Sequence, residues 1–326
     1  MHYFFLRMQQ PNVDIDHLKG RNQPNQNSVQ NRCDFVTNSL TDLQLFYSHR
    51  NGEFWLGNAI EWLKTLPSES VDLVIADPPY NLKKAEWDTF ESQQAYVDWS
   101  LIWIEQAARI LKPTGSCYIC GFSESLADLK LPASRFFSGC RWIVWHYKNK
   151  ANLANDWGRS HESILHFRKT KQFYMNVENV RVRYGDHTLK YPNRPQALTS
   201  QYHTASHCSD WRPHPKGAKP RDVIEIPTTC NGMNEKTKHP TQKPEALIRK
   251  LVLASSQRGE MIVDPFLGSG TTAVVAEQLG RRWIGCDRRA DYLNWAIDRI
   301  ESARSRSDED WFWRDRALED RRTKIR

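Results

Sequence analysis

No stretch of 18 consecutive apolar residues occurs in the 326-residue chain, which excludes an ordinary membrane-spanning helix. The opening Met1-His2-Tyr3-Phe4-Phe5-Leu6-Arg7 is too short an apolar run for a secretory signal. Cysteine is odd in number, 7 residues at irregular spacing, so a disulfide framework is excluded and a reducing cytoplasm is the expected location. Cys117 and Cys120 form a C-x-x-C, but no second pair stands at ligand spacing. They read as buried structural thiols, and no metal site is expected. No Lys-Ser or Lys-Thr pair follows the glycines at 268–270, which excludes a Walker-type phosphate loop.

What is present is positive charge and aromatic surface. The net charge is +8 and aromatic residues make up 11% of the chain, with 13 Trp. That combination favours a polyanion whose bases can be stacked upon. Much of the excess is local. Between Arg168 and Lys238 there are 13 Lys and Arg against 6 Asp and Glu, prolines recur, and apolar periodicity fades. Phe173, Tyr174, Tyr184, Tyr191, Tyr202 and Trp211 are interleaved with the charge, as a nucleic-acid surface requires, so target recognition is favoured here over a merely solvated charge run. Residues 1–45 are polar and rich in Asn and Gln and read as a flexible arm; residues 305–326 read as a charged tail.

The stretch 71–80, Val-Asp-Leu-Val-Ile-Ala-Asp-Pro-Pro-Tyr, organises the rest. Its mostly apolar first six residues predict a buried parallel strand, and the prolines stop it at Asp77. Asp77 and Tyr80 are thus placed on a stiff loop at a strand's carboxyl end, where open α/β sheets bind ligands. An exocyclic base amine is a poor nucleophile because its lone pair is delocalised into the ring. A carboxylate (Asp77) and a carbonyl (Pro78) can each accept one of its hydrogens and localise that pair. Pro79 removes an N–H from the loop and directs the Pro78 carbonyl, and Tyr80 offers a face for a base taken out of its stack. A plain strand-ending turn is the alternative reading of these four residues. Asn58, at an earlier strand end, reads first as a helix cap and second as a cofactor contact. The polar loop 81–88 either covers the base or is simply solvated. His161-Glu162 opens a strand after a loop, a position from which substrate could be touched.

Periodicity predicts helices over 59–66, 96–111, 245–256, 271–279 and 291–304, and strands over 54–56, 116–120, 141–145, 163–167, 261–264 and 282–286. Residues 265–272, Pro-Phe-Leu-Gly-Ser-Gly-Thr-Thr, are a glycine-rich turn between a strand and a helix, and Asp287 ends the next strand. This is a nucleotide-type site: glycine admits close backbone approach, and a carboxylate can bind ribose hydroxyls. The glycine pattern alone does not separate a dinucleotide from S-adenosylmethionine. Asp264, just before the turn, would repel a pyrophosphate but suit a cationic ligand, and nothing in the chain suggests hydride transfer.

Residues 77–80, 239–255, 264–272 and Asp287, in that order around the basic segment, resemble the motifs of the DNA amino-methyltransferases, and their order is similar to the permuted β group of that family. The resemblance covers residues 52–304. It implies an α/β fold, a seven-stranded, Rossmann-like, circularly permuted methyltransferase sheet, with S-adenosylmethionine as donor and flipping of the target base in double-stranded DNA. It divides the chain into a catalytic half (46–168), a target-recognition insertion (169–238) and a cofactor-binding half (239–304). It also implies that Asp77, Pro78, Pro79 and Tyr80 are catalytic and that His239, Thr241, Lys243, Asp264, Phe266, Gly268, Ser269, Gly270, Thr271 and Asp287 bind the cofactor, with Asn58 beside them. In that family Asp at the first loop position usually accompanies adenine N6, and Ser cytosine N4. A cognate restriction endonuclease and a homodimer are the protein partners it allows. A cytosine-N4 DNA methyltransferase, an RNA methyltransferase, a protein-amide methyltransferase (usually with Asn in place of Asp77) and a non-catalytic DNA-binding module are the rival readings.

Overall fold

Alternate residues toward the end of the strand Val71–Ala76 face two separate apolar cores, which is why all its residues but Asp72 are hydrophobic. Leu73 and Ile75 pack into one core, Val74 and Ala76 into the other. The computed structural model describes residues 43–82, 88–151, 155, 157–192 and 212–324. In chain order the elements are β1 (Gln44–His49), β2 (Gly52–Leu56), α1 (Ala59–Thr65), β3 (Val71–Ala76), α2 (Gln93–Ile110), β4 (Leu111–Gly121), α3 (Ser123–Ala133), β5 (Gly139–Ala151), β6 (Arg159–Arg168), α4 (Asp186–Lys190), β7 (Val223–Glu225), α5 (Glu245–Ser255), β8 (Met261–Asp264), α6 (Thr271–Gln278), β9 (Arg282–Asp287), α7 (Ala290–Glu301) and α8 (Asp308–Lys324).

One mixed sheet runs β1-β2-β9-β8-β3-β4-β6-β5-β7. Its middle, from β2 to β4, is parallel throughout; β1 and β6 pair antiparallel to it. Helices α1, α2 and α3 contribute to one core, and α5, α6 and α7 to the other, so the parallel strands are covered on both faces. The α/β class follows. Among the described residues the strand count is nine where the resemblance implied seven, because two edge strands are added: β1 beyond β2, and the three-residue β7 beside β5. Cys117 and Cys120 are buried in opposite cores, which rules out their sharing a metal, and burial pushes both thiols up.

Asp72 is the one carboxylate inside the β3 run. It sits at a register shift against β4 and accepts from Lys112 Nζ at 2.8 and 2.9 Å and from the Met261 amide at 2.9 Å, tying β3 to both neighbours. Helix α2 starts three residues earlier than periodicity predicts, because the Ser92 hydroxyl caps it by accepting from the Ala95 amide. The arm reading for residues 1–45 falls almost wholly outside the described residues. In the basic segment, residues 193–211, with Tyr202 and Trp211, also lie outside them. Of the remaining aromatics there, Phe173 takes the Arg168 guanidinium at 5.0 Å, and the Tyr184 hydroxyl accepts from the His214 amide at 2.8 Å. Among the described residues no helix is long and apolar enough to cross a membrane.

The reading of 305–326 as a charged tail is corrected by α8, which docks on the α5–α6 side. Trp311 and Phe312 are buried, Arg249 lies 3.7 Å from the Trp311 ring centre, and buried Arg281 donates to Asp308 at 2.9 Å. Two adjacent aromatics in a charged segment show no amphipathic period, so pattern reading misses them. Trp311→Ala is expected to lower the free energy of unfolding by about 3 kcal/mol, by cavity formation and loss of the stacked guanidinium. Urea titration monitored by circular dichroism measures it.

Candidate functional site

Strands β3 and β8 are neighbours, with Leu73 opposite Ile262 and Val74 opposite Val263. From β8 the chain continues to β9 on one side, and from β3 to β4 on the other. The sheet order therefore reverses between them, and a crevice opens past their carboxyl ends. The catalytic-loop candidate leaves β3 and the glycine turn leaves β8, so both empty into this crevice. A cavity of about 510 Å³ fills it, lined among others by Asp77, Tyr80, Glu162, Asp264, Gly268 and Asp287. Among the described residues no group of three His, Cys, Asp or Glu side chains could hold a metal ion.

Asp77 accepts from the Tyr80 hydroxyl at 2.5 Å and from Lys243 Nζ at 2.7 Å. Burial works against the Lys243 ammonium, but Asp77 and Glu162 outweigh it and hold the lysine above its ordinary value, as a cation. Burial, with the same two carboxylates, pushes the Tyr80 hydroxyl well up, so it acts as a donor. The loop's backbone is fixed by Asp88, whose two oxygens accept from the Tyr80 amide at 2.6 Å and the Leu82 amide at 3.1 Å. Asn81 between them adopts φ 60°, and its side-chain oxygen accepts from the Phe90 amide at 3.1 Å. The Tyr80 ring packs edge-on against Phe122 at 5.2 Å.

On the β8 side, Gly270 opens α6 at φ +76°, and a Cβ there would stand 2.5 Å from the Ala296 Cβ, so only glycine fits. Gly268, at φ +53°, lies against the His239 ring, itself edge-on to Tyr292 at 4.5 Å. Asp287 accepts from the Gly268 amide at 2.8 Å and the Arg289 amide at 2.9 Å; Asp264 accepts from the Phe266 amide at 3.0 Å. Both carboxylates line the cavity. Burial raises both acids, Asp264 to about 7, and lowers His239 to about 4.

Every residue that the resemblance makes catalytic or cofactor-binding, except Gly270, lines the cavity; His161 does not, while its neighbour Glu162 does. Lys243, assigned to the cofactor, reaches Asp77 while its carbonyl accepts from Thr271 at 3.3 Å, so it links the two loops. The Asn58 side chain caps α1, accepting from the Ile60 amide at 2.9 Å. Ser269 and Thr271 are tied from beneath by Arg299, which donates to the Ser269 carbonyl at 2.8 Å and the Thr271 hydroxyl at 3.0 Å. Asp88 and Arg299 went unrecognised, since nothing local in the sequence marks them. Glu162 had only its place at a strand opening. Replacing Asp88 by Ala is expected to speed amide exchange at Tyr80 and Leu82 by at least about tenfold, the lost acceptor being worth more than 1 kcal/mol. Hydrogen exchange with mass spectrometry at peptide resolution reads this directly.

Comparison with known proteins adds four findings. A family profile described as DNA methylase matches residues 71–298. The chain is 33% identical over 247 residues to the type II methyltransferase M1.MboII of Moraxella bovis, covering 73% of this chain and 92% of the relative. It is also 33% identical over 253 residues to the DNA adenine methyltransferase YhdJ of Escherichia coli K12, covering 76% and 82%. The fold is similar to that of the cytosine-N4-specific PvuII DNA methyltransferase, at TM-score 0.60 and 21% identity over 82% of this chain and 92% of that one. With the Asp77 loop and the glycine turn both inside the matched span, the chain belongs to the N6/N4 DNA methylase family.

Proposed function

We propose that the protein transfers a methyl group from S-adenosylmethionine to N6 of an adenine extruded from duplex DNA. The observation that carries this reading is the meeting of the Asp77 loop and the glycine turn in one cavity across adjacent strand ends. The β8 half suits the donor: two glycines leave the turn open where a Cβ would fill it, and Asp264 and Asp287 are carboxylates with acceptor capacity for an ammonium and for ribose hydroxyls. Bound there, S-adenosylmethionine supplies an electrophilic methyl group on a sulfonium.

This chain's residues then handle the amine. The Asp77 carboxylate and the Pro78 carbonyl accept its two hydrogens, and the Tyr80 ring takes the base face. Water is displaced by the aromatic lining from Phe122, Trp99 and Phe266. Unstacking the base costs a few kcal/mol, offset by these contacts. Catalysis rests on positioning and on carboxylates placed where positive charge develops on nitrogen. The identity of the residue at position 77 and the adenine designation of the Escherichia coli relative favour adenine over cytosine. The type II designation of the Moraxella relative favours a cognate endonuclease acting on the same site.

Nucleoside mass spectrometry after incubation with duplex DNA, single strands and total RNA tests the substrate. N6-methyl-2'-deoxyadenosine from duplex DNA alone is expected; N4-methyl-2'-deoxycytidine, or methylated ribonucleosides from RNA, would overturn it. Asp77→Ala should lose methyl transfer by at least about 100-fold, as expected for a group acting on the reacting nitrogen, with cofactor affinity retained in calorimetry. The Asp264 carboxyl, at about 7, is neutral below that pH and ionised above it. Affinity for the cationic cofactor should therefore fall as pH drops from 8 to 6, approaching about tenfold per unit below the pKa. Asp264→Asn should bind weakly at pH 8 and remove that slope.

A further inference from the structure

Both donors that restrain Asp77 share a second acceptor. The Tyr80 hydroxyl, 2.5 Å from Asp77 Oδ1, is 3.3 Å from Oε2 of Glu162. Lys243 Nζ, 2.7 Å from Asp77 Oδ2, is 3.5 Å from that same Oε2. The residues come from three places in the chain: the loop after β3, the segment before α5, and β6, which is separated from β3 by β4 in the sheet. The Lys243 and Glu162 side chains are 7% and 16% exposed, so solvent does little to replace a lost partner. Glu162 also lines the cavity.

Asp77 as found is the preferred partner of a buried ammonium and a buried hydroxyl. To accept a hydrogen from a base amine at full strength it must loosen one or both. In a buried site, leaving a cation without its counter-charge is strongly unfavourable. We propose that Glu162 is a positioning residue that takes over Lys243 and Tyr80 as Asp77 turns to the amine, so that the carboxylate is released by exchange of partners and not by breaking an ion pair outright. The inference rests on the methyl-transfer reading above, in which Asp77 receives the amine. It adds a role for Glu162 and a reason for Lys243 to stand between two carboxylates: the ammonium fixes Asp77 while the cavity holds no base, and Glu162 makes that restraint reversible.

The test is a pair of substitutions in the full-length protein, with steady-state methylation of duplex DNA and calorimetric cofactor binding. Glu162→Gln keeps the shape and a hydrogen-bond acceptor but removes the charge, leaving Lys243 to Asp77 alone. Its kcat should fall by roughly 10- to 100-fold, while KM and Kd for S-adenosylmethionine stay within about twofold. Adding Lys243→Met removes the cation that would then clamp Asp77. The double variant should recover at least about fivefold over Glu162→Gln, a sign of coupling that independent structural damage does not produce. Wild-type kcat in Glu162→Gln, or a double variant no faster than the single one, would overturn the proposal. Should Glu162→Gln fail to fold by thermal unfolding, Glu162→Asp carries the test. That variant keeps the charge but draws it back, and a lowered kcat with normal cofactor Kd supports the exchange, an unchanged kcat refutes it. Absence of DNA methylation by the wild-type protein would instead remove the underlying reading, so the two failures are distinguishable.

Discussion

The parallel pairing of β3 with β8 is the constraint on which the site depends. Hydrogen bonding of two strands sets their ends side by side to within a residue, whatever the length of chain between them. One strand ends in Asp77-Pro78-Pro79-Tyr80, the other in Asp264 and the glycine turn, so the pairing turns two distant motifs into one cavity. The double burial of both strands makes the register costly to change: a one-residue slip would exchange the residues facing the two cores. Asp72, bonded to Lys112 and to the Met261 amide, pins the opposite end. Lys243 completes the alignment, holding Asp77 through its ammonium and Thr271 through its carbonyl.

Charge is distributed in two ways that serve different steps. The whole chain is basic, which draws a polyanion from a distance. The cavity is the reverse: Asp77, Glu162, Asp264 and Asp287 line it, with Lys243 buried among them. An acidic interior is unsuited to phosphate but suited to cationic groups and to amine hydrogens. The cavity's acidic groups thus stand against the basic balance of the whole chain, and burial raises Asp264 to about 7.

The peripheral elements explain how an open sheet is protected. On one side β1 covers the β2 edge; on the other the long β5–β6 pair extends the sheet, with β7 along β5. Helix α8 closes the α5–α6 side through Trp311 and through Arg249 of α5 and Arg281, the residue before β9. Its acidic residues meet buried guanidinium groups, so the segment's charge is used in packing and is not all left to solvent.

By itself the sequence determined what short range dictates: the doubly buried run 71–76, the proline stop at Asp77, the glycine turn at 268–270 and the acidic end of the next strand at Asp287. These are legible because strand burial, the missing proline N–H and the positive φ of Gly270 act on a few contiguous residues. Only the tertiary structure decided which side chains meet. It joined Lys243 to Asp77 and brought in Asp88, Arg299 and Glu162, which nothing in their own stretches marked strongly. It also made a helix of a segment that composition presents as a tail. The physical reason is the same for all of them: a charged side chain's partner is chosen by proximity in the folded sheet, and residues as far apart as 77, 162 and 243 acquire that proximity only when strands β3, β4, β6 and β8 have taken their order.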